Sequence, residues 1–147
     1  MIFKNVFFIS AAIAWFIAQL IKIIISFIKE HRLNFRLIIA SGGMPSSHTA
    51  SVCALSTSIA YVYSFNSPFF AISAVFALIV MYDASGVRRA AGEQAKILNK
   101  IMDDLMNKRS VMFGEHLKEL IGHTPLQVLI GALLGITVGV LYPYLVL

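Results

Sequence analysis

The amino-acid sequence predicts an all-α integral membrane bundle, and three observations carry this prediction. Of the 147 residues, 59% are hydrophobic and only 13% are charged, a balance too apolar for an ordinary soluble domain of this length. Four long apolar stretches can be identified, and most charged residues collect in two segments that follow the first and third stretches. We therefore expect a single membrane domain over residues 1–147 with about four transmembrane helices.

The four apolar stretches are the candidate spans. A helix needs about 20 residues to cross a hydrocarbon core of about 30 Å, so the third stretch is short and would cross at an angle or in a thinned part of the bilayer. Gln19 and Lys22 interrupt the first stretch and no cleavage pattern follows it, so we interpret it as a retained helix rather than a signal peptide. A tight turn at 64–68 would join the second and third. The spans cover approximately residues 6–28, 45–65, 68–82 and 125–147.

The polar segments 29–44 and 83–124 hold all seven acidic residues and ten of the twelve lysines and arginines. With four crossings the two segments share one membrane face, and the positive-inside rule makes that face cytoplasmic with both termini outside. Between Val87 and Leu105, apolar residues recur at helical spacing. This pattern predicts an amphipathic helix on the cytoplasmic face, either bound to anionic headgroups or packed on the bundle.

A string rich in glycine and serine opens the second apolar stretch. The glycines suit a turn, Pro45 suits helix initiation, and Ser46 or Ser47 suits the helix cap. His48 has no such structural explanation. Because the first amides of a helix are unpaired and lie at the positive end of its dipole, the amides around Gly43 to Ser47 are expected to cradle a phosphate. The whole string is Gly42-Gly43-Met44-Pro45-Ser46-Ser47-His48.

The fourth apolar stretch opens in a similar way. Gly122 would close the preceding helix, and Pro125 suits the first helical position. Thr124 with Gln127 forms a capping-box pattern, which leaves His123 unexplained. Two histidines at helix starts on one membrane face suit a general acid and a nucleophile in phosphoryl transfer.

Three cations could neutralise a phosphate beside those histidines. Lys22 lies inside the first span, where an ionisable residue is costly and is treated as functional by default. Arg88 and Arg89 follow the third span and could donate bidentate hydrogen bonds. Snorkelling of Lys22 and the positive-inside bias are the alternative explanations. A metal site that includes Asp83 is a weaker alternative, because the histidines lack metal-binding spacing.

Together these motifs make the chain resemble the divergent branch of the type-2 phosphatidic acid phosphatase superfamily, which is related to acid phosphatases and vanadium-dependent haloperoxidases. The resemblance covers nearly the whole chain. It rests on Ala18-Gln19 with Lys22, the string 42–48, Asp83-Ala84 with Gly86-Val87-Arg88-Arg89, Ala91-Gly92-Glu93-Gln94-Ala95, Leu117-Lys118-Glu119, and Gly122-His123-Thr124-Pro125.

The resemblance implies hydrolysis of phosphomonoesters or diphosphates through a phosphohistidine, with neither metal nor other cofactor. It implies that His123 is the nucleophile and that His48 is the acid. The phosphate-binding residues by motif are Lys22, Ser46, Ser47, and either Arg88 or Arg89, with Gly43 in the cradle.

Two departures from the family pattern bear on catalysis. Arg89 and His123 stand 34 positions apart, where the usual third motif has six, and Gln127 occupies the position of the usual aspartate. Gln127 would orient the imidazole, and Asp83 is the candidate replacement carboxylate. We therefore expect a lipid phosphate or diphosphate phosphatase. The alternative is a non-catalytic membrane protein that binds phospholipid headgroups or scaffolds partners through a relict phosphate pocket.

Small-residue stripes predict close helix contacts, either within one chain or in a homodimer. The expected partners are membrane lipids and a phosphorylated lipid, with no nucleic acid, and the expected location is a bacterial inner membrane. The stripes are Gly131, Gly135 and Gly139 on the fourth span, and Ala50, Ala54 and Ser58 on the second.

Overall fold

The computed structural model describes residues 4–30, 43–109 and 122–147, and these residues contain helices and no strand. The predicted all-α fold is thereby confirmed. A π-helical turn, Asp83–Val87, joins two of the helices. In chain order the five helices are α1 (Val6–Glu30), α2 (Ser47–Tyr63), α3 (Pro68–Tyr82), α4 (Arg88–Arg109) and α5 (Pro125–Val146).

The helices form a membrane bundle around α2. In the described part of the chain, three helical stretches are long and apolar enough to cross a bilayer: Val6–Ile28, Pro68–Asp103 and Pro125–Val146. They correspond to the first, third and fourth predicted spans. Helix α2 has 17 residues and packs against α1, α3 and α5. The second predicted span therefore occupies the centre of the bundle, where its small residues are covered by the other helices.

Backbone contact between α2 and α5 holds the centre together. A Cβ atom on Gly135 would lie 2.3 Å from the carbonyl oxygen of Ala50, and one on Gly139 would lie 2.7 Å from that of Ala54. Such proximity leaves no room for a side chain, so the glycines allow the two helices to approach closely. The two small-residue stripes thus meet each other within one chain, which answers the question that the sequence left open.

The turn between α2 and α3 has the predicted chemistry. The Ser67 amide donates to the Ser64 carbonyl at 3.2 Å, and the Ser67 hydroxyl accepts from the Phe69 amide at 3.1 Å to cap α3. Pro68 is the first helical residue, where a missing N–H costs nothing. This tight turn makes α2 and α3 antiparallel neighbours.

The predicted amphipathic segment is helical, and it continues from α3 through the π-helical turn without a break. The sequence did not predict this continuity. Ile97, Leu98 and Ile101 are exposed on α4, as an amphipathic helix at a membrane surface would require. The location of α4 on the membrane face stays a prediction. Residues 31–42, which include Gly42, and residues 110–121 lie outside the described residues.

Candidate active site

Four chain segments meet at one end of the bundle: the end of α1, the start of α2, the π-helical turn and the start of α5. Two backbone hydrogen bonds connect the last three of these segments. The Ser46 amide donates to the Gln127 carbonyl at 3.1 Å, and the His123 amide donates to the Ala84 carbonyl at 3.0 Å. The two histidine-bearing helix starts are therefore fixed to each other and to the helix that carries the arginines.

The start of α2 is capped by Ser46. Its hydroxyl accepts from the Thr49 amide at 3.4 Å and from the Thr49 hydroxyl at 3.0 Å. Pro45 precedes the cap, so the prediction that it initiates the helix is wrong; helical geometry begins only at Ser47. Both serines are buried, and His48 follows them in the first turn of α2.

The start of α5 is the predicted capping box. The Thr124 amide donates to the Gln127 side-chain oxygen at 2.9 Å, and the Gln127 amide donates to the Thr124 hydroxyl at 3.4 Å. Pro125 is the first helical residue, also as predicted. The Gln127 side-chain oxygen thus serves the helix cap, and no hydrogen bond in the described part of the chain joins Gln127 to His123.

His123 is buried, and its ring nitrogens make no hydrogen bond within the described residues. The residue is only 3% exposed, and neither Nδ1 nor Nε2 has a partner there. Buried polar atoms are nearly always paired in folded proteins. The unpaired ring is therefore the feature of this site that most directly indicates a ligand.

The π-helical turn supplies the carbonyl that holds His123. In the turn, the Arg88 amide donates to Asp83, five residues earlier, instead of to Ala84 as in an α-helix. The Ala84 carbonyl instead accepts the His123 amide. The irregular turn thereby fixes the residue that the family resemblance predicts to be the nucleophile.

Gly122 brings the two segments into direct contact. A Cβ atom at this position would lie 2.4 Å from the backbone nitrogen of Arg89, so no side chain fits there. The predicted closure of a preceding helix by Gly122 lies outside the described residues. Within them, close approach to Arg89 is the reason for a glycine.

A cavity of about 220 Å³ lies between the start of α2, the end of α3 with the π-helical turn, and the residue before the α5 cap. The predicted phosphate-binding residues Lys22, Gly43, Ser46 and Ser47 are not among its described lining residues. His48 and His123 both line it, which brings together the two histidines that the sequence paired. Arg88 also lines the cavity, whereas Arg89 is not among its lining residues and lies with its backbone against Gly122. The structure therefore favours Arg88 over Arg89. The remaining lining residues are Ile79, Val80, Asp83 and Ala84.

Asp83 is paired with Arg88 at the edge of the cavity. The Arg88 Nε donates to the Asp83 Oδ2 at 2.6 Å. No hydrogen bond in the described residues joins Asp83 to His123. The predicted contact, in which this carboxylate replaces the missing aspartate beside the imidazole, is thus not formed.

Lys22 lies buried in the bundle next to Gly43. The lysine is 4% exposed, and a Cβ atom on Gly43 would lie 3.2 Å from its Cγ. Gly43 has a φ of 84°, a conformation that side chains rarely adopt. The turn thus packs directly on the stem of the lysine, and no carboxylate pairs with Lys22 in the described part of the chain.

Burial and neighbouring positive charge keep the His123 ring neutral. Burial is the larger cause, and the charges of Lys22, His48 and Arg88 add to it, lowering the pKa of His123 to about 4. An imidazole with this pKa is unprotonated at neutral pH and has a free lone pair. The positive charges of Lys22 and Arg88 would equally attract a phosphate.

Comparison with known proteins identifies the family of this chain. A family model described as the divergent PAP2 family matches residues 3–138. The chain belongs to the divergent PAP2 family. It is 42% identical over 146 residues to the membrane protein YuiD of Bacillus subtilis, described as uncharacterized, and the match covers 92% of each chain. No solved structure matches.

Sequence reasoning missed several parts of this divergent PAP2 site. It did not anticipate the Ala84 carbonyl, the apolar wall of Ile79 and Val80, or the pairing of Asp83 with Arg88. A signal for the last was present, because residues five apart do not share a face of an α-helix but do share one in a π-helical turn. A charge pair at that spacing is a reason to consider an irregular helix.

Proposed function

We propose that this divergent PAP2 chain is a metal-independent phosphatase that hydrolyses a lipid phosphate or diphosphate through a phosphohistidine. The observation that carries the proposal is the shared cavity, which His48, His123 and Arg88 line together. A nucleophile, an acid and a cation around one cavity are the minimum set for phosphoryl transfer to histidine.

In the first step, the neutral His123 attacks phosphorus. An N–P bond forms as the bond from phosphorus to the leaving oxygen breaks, which is the lipid oxygen of a monophosphate or the bridging oxygen of a diphosphate, and the protonated His48 gives its proton to that oxygen. Lys22 and Arg88 offset the charge on the phosphoryl oxygens, and the amides of Gly43 and Ser47 add donors, since the Ser46 amide is held by the Gln127 carbonyl. The capped and buried Ser46 and Ser47 hold those amides in place.

In the second step, water attacks the phosphohistidine. His48, now neutral, takes a proton from the water as the new O–P bond forms and the N–P bond breaks. Inorganic phosphate leaves and both histidines return to their starting states. The backbone bond from Ser46 to Gln127 supports this cycle because it keeps the acid and the nucleophile on connected helix starts, and we propose that Gln127 orients His123 in this indirect way.

A lipid is the proposed substrate because of where the cavity lies. Ile79 and Val80 form an apolar wall, and Ile79 is 60% exposed on the membrane helix α3. An alkyl chain that leaves the cavity past these residues would stay in contact with hydrocarbon. Membrane lipids are thus the proposed partners.

The test is phosphate release by the purified protein in lipid nanodiscs with excess EDTA. Diacylglycerol phosphate and a long-chain alkyl diphosphate are the substrates, and vanadate should inhibit both reactions. His123→Ala should be inert, whereas Thr137→Ala, which changes an exposed hydroxyl on α5, should match the wild type. Phosphate release that survives His123→Ala would contradict the mechanism.

A second candidate is a non-catalytic protein that binds phospholipid headgroups. It is favoured by one observation: in the described residues no carboxylate contacts His123, and the nearby Asp83 is committed to Arg88. Binding of diacylglycerol phosphate that requires Lys22 and Arg88, is unaffected by His123→Ala and yields no phosphate would support this candidate.

We also propose that the site faces the cytoplasm of a bacterial cell, with both termini outside the inner membrane. Arg88, Arg89, Lys96 and Lys100 all follow α3 at the site end of the bundle, in keeping with the positive-inside rule. In a Cys53→Ala background, a membrane-impermeant maleimide added to intact cells should label Asn66→Cys. It should not label Lys100→Cys, and the reverse pattern would invert the topology.

A further inference from the structure

We infer that Asp83 is a positioning residue for the proposed phosphatase site, and that the π-helical turn is the device that lets it hold Arg88. The inference rests on the proposed function and assigns a role within it. Asp83 acts here through the guanidinium of Arg88 and not on the substrate or on His123.

The spacing of the two residues explains the need for an irregular turn. At 3.6 residues per turn, residues five apart in an α-helix lie about 140° apart around the axis. Their side chains then point to different faces. A π-helical turn closes its hydrogen bond at the fifth residue, and here the Arg88 amide donates to the Asp83 carbonyl. The side-chain pair at 2.6 Å lies directly beside this backbone bond.

The atoms that form the ion pair determine which N–H donors of Arg88 a substrate can use. Arginine has five N–H donors in a rigid planar fork, and Asp83 takes the one on Nε. Both residues line the cavity, and within the described residues no other hydrogen bond uses the four N–H groups on the terminal nitrogens, which can therefore donate to phosphoryl oxygens. A guanidinium fixed at one edge loses less conformational freedom when its other edge binds a phosphate.

The same pair sets the charge of the cavity. Asp83 offsets the charge of Arg88, whereas Lys22 has no carboxylate partner among the described residues. A carboxylate at the edge of an anion cavity would be unfavourable if it served only the fold. Its presence is explained if the gain in turnover from orienting Arg88 exceeds the loss of anion affinity that the negative charge of Asp83 causes.

The test is a double-mutant cycle on turnover and on vanadate binding, with Asp83→Asn, Asp83→Ala, Arg88→Ala and the double variants. Asp83→Ala should lower kcat on the order of 100-fold, as expected when a transition-state donor is misplaced. Asp83→Asn, which keeps an acceptor oxygen, should lower it less. In the Arg88→Ala background both changes should alter kcat less than twofold, because a positioning residue has no effect once its target is absent.

The matched control is a second ion pair of the described residues, which lies on α4. Glu93 pairs with Lys96 at 3.7 Å outside the cavity, so Glu93→Ala should leave kcat and vanadate binding unchanged. Equal losses from Asp83→Ala with and without Arg88 would overturn the inference and assign Asp83 a separate role.

A readout independent of turnover separates this inference from the proposed function. In ¹⁵N-arginine spectra, the Arg88 Nε–H should exchange with solvent at least tenfold faster in Asp83→Ala, and Arg88→Ala assigns the signal. Unchanged exchange overturns the positioning role even if the protein is a phosphatase. One combination of results would refute the phosphatase and retain the role of Asp83. In it, the wild-type protein releases no phosphate, while Asp83→Ala shows both faster Arg88 exchange and altered vanadate binding.

Discussion

Gly122 lies so close to Arg89 that a Cβ atom on the glycine would come within 2.4 Å of the Arg89 Cα. The contact docks the residue before His123 onto the first turn of α4, next to the arginine that lines the cavity. The cavity geometry thus depends on a backbone contact that carries no chemistry of its own.

Gly122→Ala should therefore impair both fold and site. The added methyl must displace the Arg89 backbone, an overpacking that typically costs about 1–3 kcal/mol, and it would move His123 away from Ala84. We expect a lower unfolding temperature and at least tenfold slower phosphate release. Gly86→Ala is the control, because its Cβ would meet nothing closer than 4.0 Å; equal behaviour of the two variants would argue against the docking contact.

Gly135→Ala should destabilise the bundle without changing the chemistry of the site. The new methyl would lie 2.3 Å from the Ala50 carbonyl, so α2 and α5 must separate, at a cost of about 1–3 kcal/mol. Thermal unfolding in nanodiscs measures the effect. Leu133→Ala, on the exposed side of α5, should shift the unfolding temperature much less, and a comparable shift would indicate that the helices are not in backbone contact.

Lys22→Met should separate ligand binding from folding. The buried ammonium has no carboxylate partner in the described residues, so its removal relieves a desolvation cost and should not lower the unfolding temperature. Vanadate affinity should fall at least tenfold, because the uncompensated cation of the site is lost. Lys4→Met, at an exposed position near the opposite end of α1, should leave affinity unchanged; a similar loss there would point to a nonspecific charge effect.

The pKa of His123 should lie far below that of an ordinary histidine. Its pKa of about 4 compares with about 6.5 in an unfolded chain, so the unfolded state binds more protons between these values. The sign follows from linkage: stability decreases as pH falls from 6.5 towards 4, and His123→Asn removes this part of the loss. Labelled-histidine NMR measures the titration directly, and a midpoint near 6.5 would show that the ring is not buried as described.

The local rules of helix ends made much of this site predictable. The capping box at Thr124 and Gln127 and the turn before Pro68 depend on short-range hydrogen bonds, which the sequence displays directly. The pairing of His48 with His123 followed by elimination, because these were the residues without a structural role at two helix starts. The glycine stripe on α5 was equally visible as a four-residue repeat.

What the sequence could not supply are the contacts between segments. The choice of Arg88 over Arg89 depends on the extra residue in the π-helical turn, which rotates both side chains relative to α3. The same turn decides that Asp83 reaches Arg88 and not His123. Ser46 caps α2 and leaves Pro45 outside the helix, because the Ser46 hydroxyl accepts from Thr49 and its amide donates to Gln127. Gln127 is remote in sequence.

The bonds that fix the site run between main-chain atoms, from Ser46 to Gln127 and from His123 to Ala84. A main-chain amide or carbonyl is present whatever side chain a position carries. Mutations can therefore accumulate over long evolutionary times at most positions around this pocket without moving its histidines, provided that Gly122 and the α5 glycines are kept. A scaffold of this kind allows a lineage to drift far from its relatives in sequence while its reactive groups stay in register.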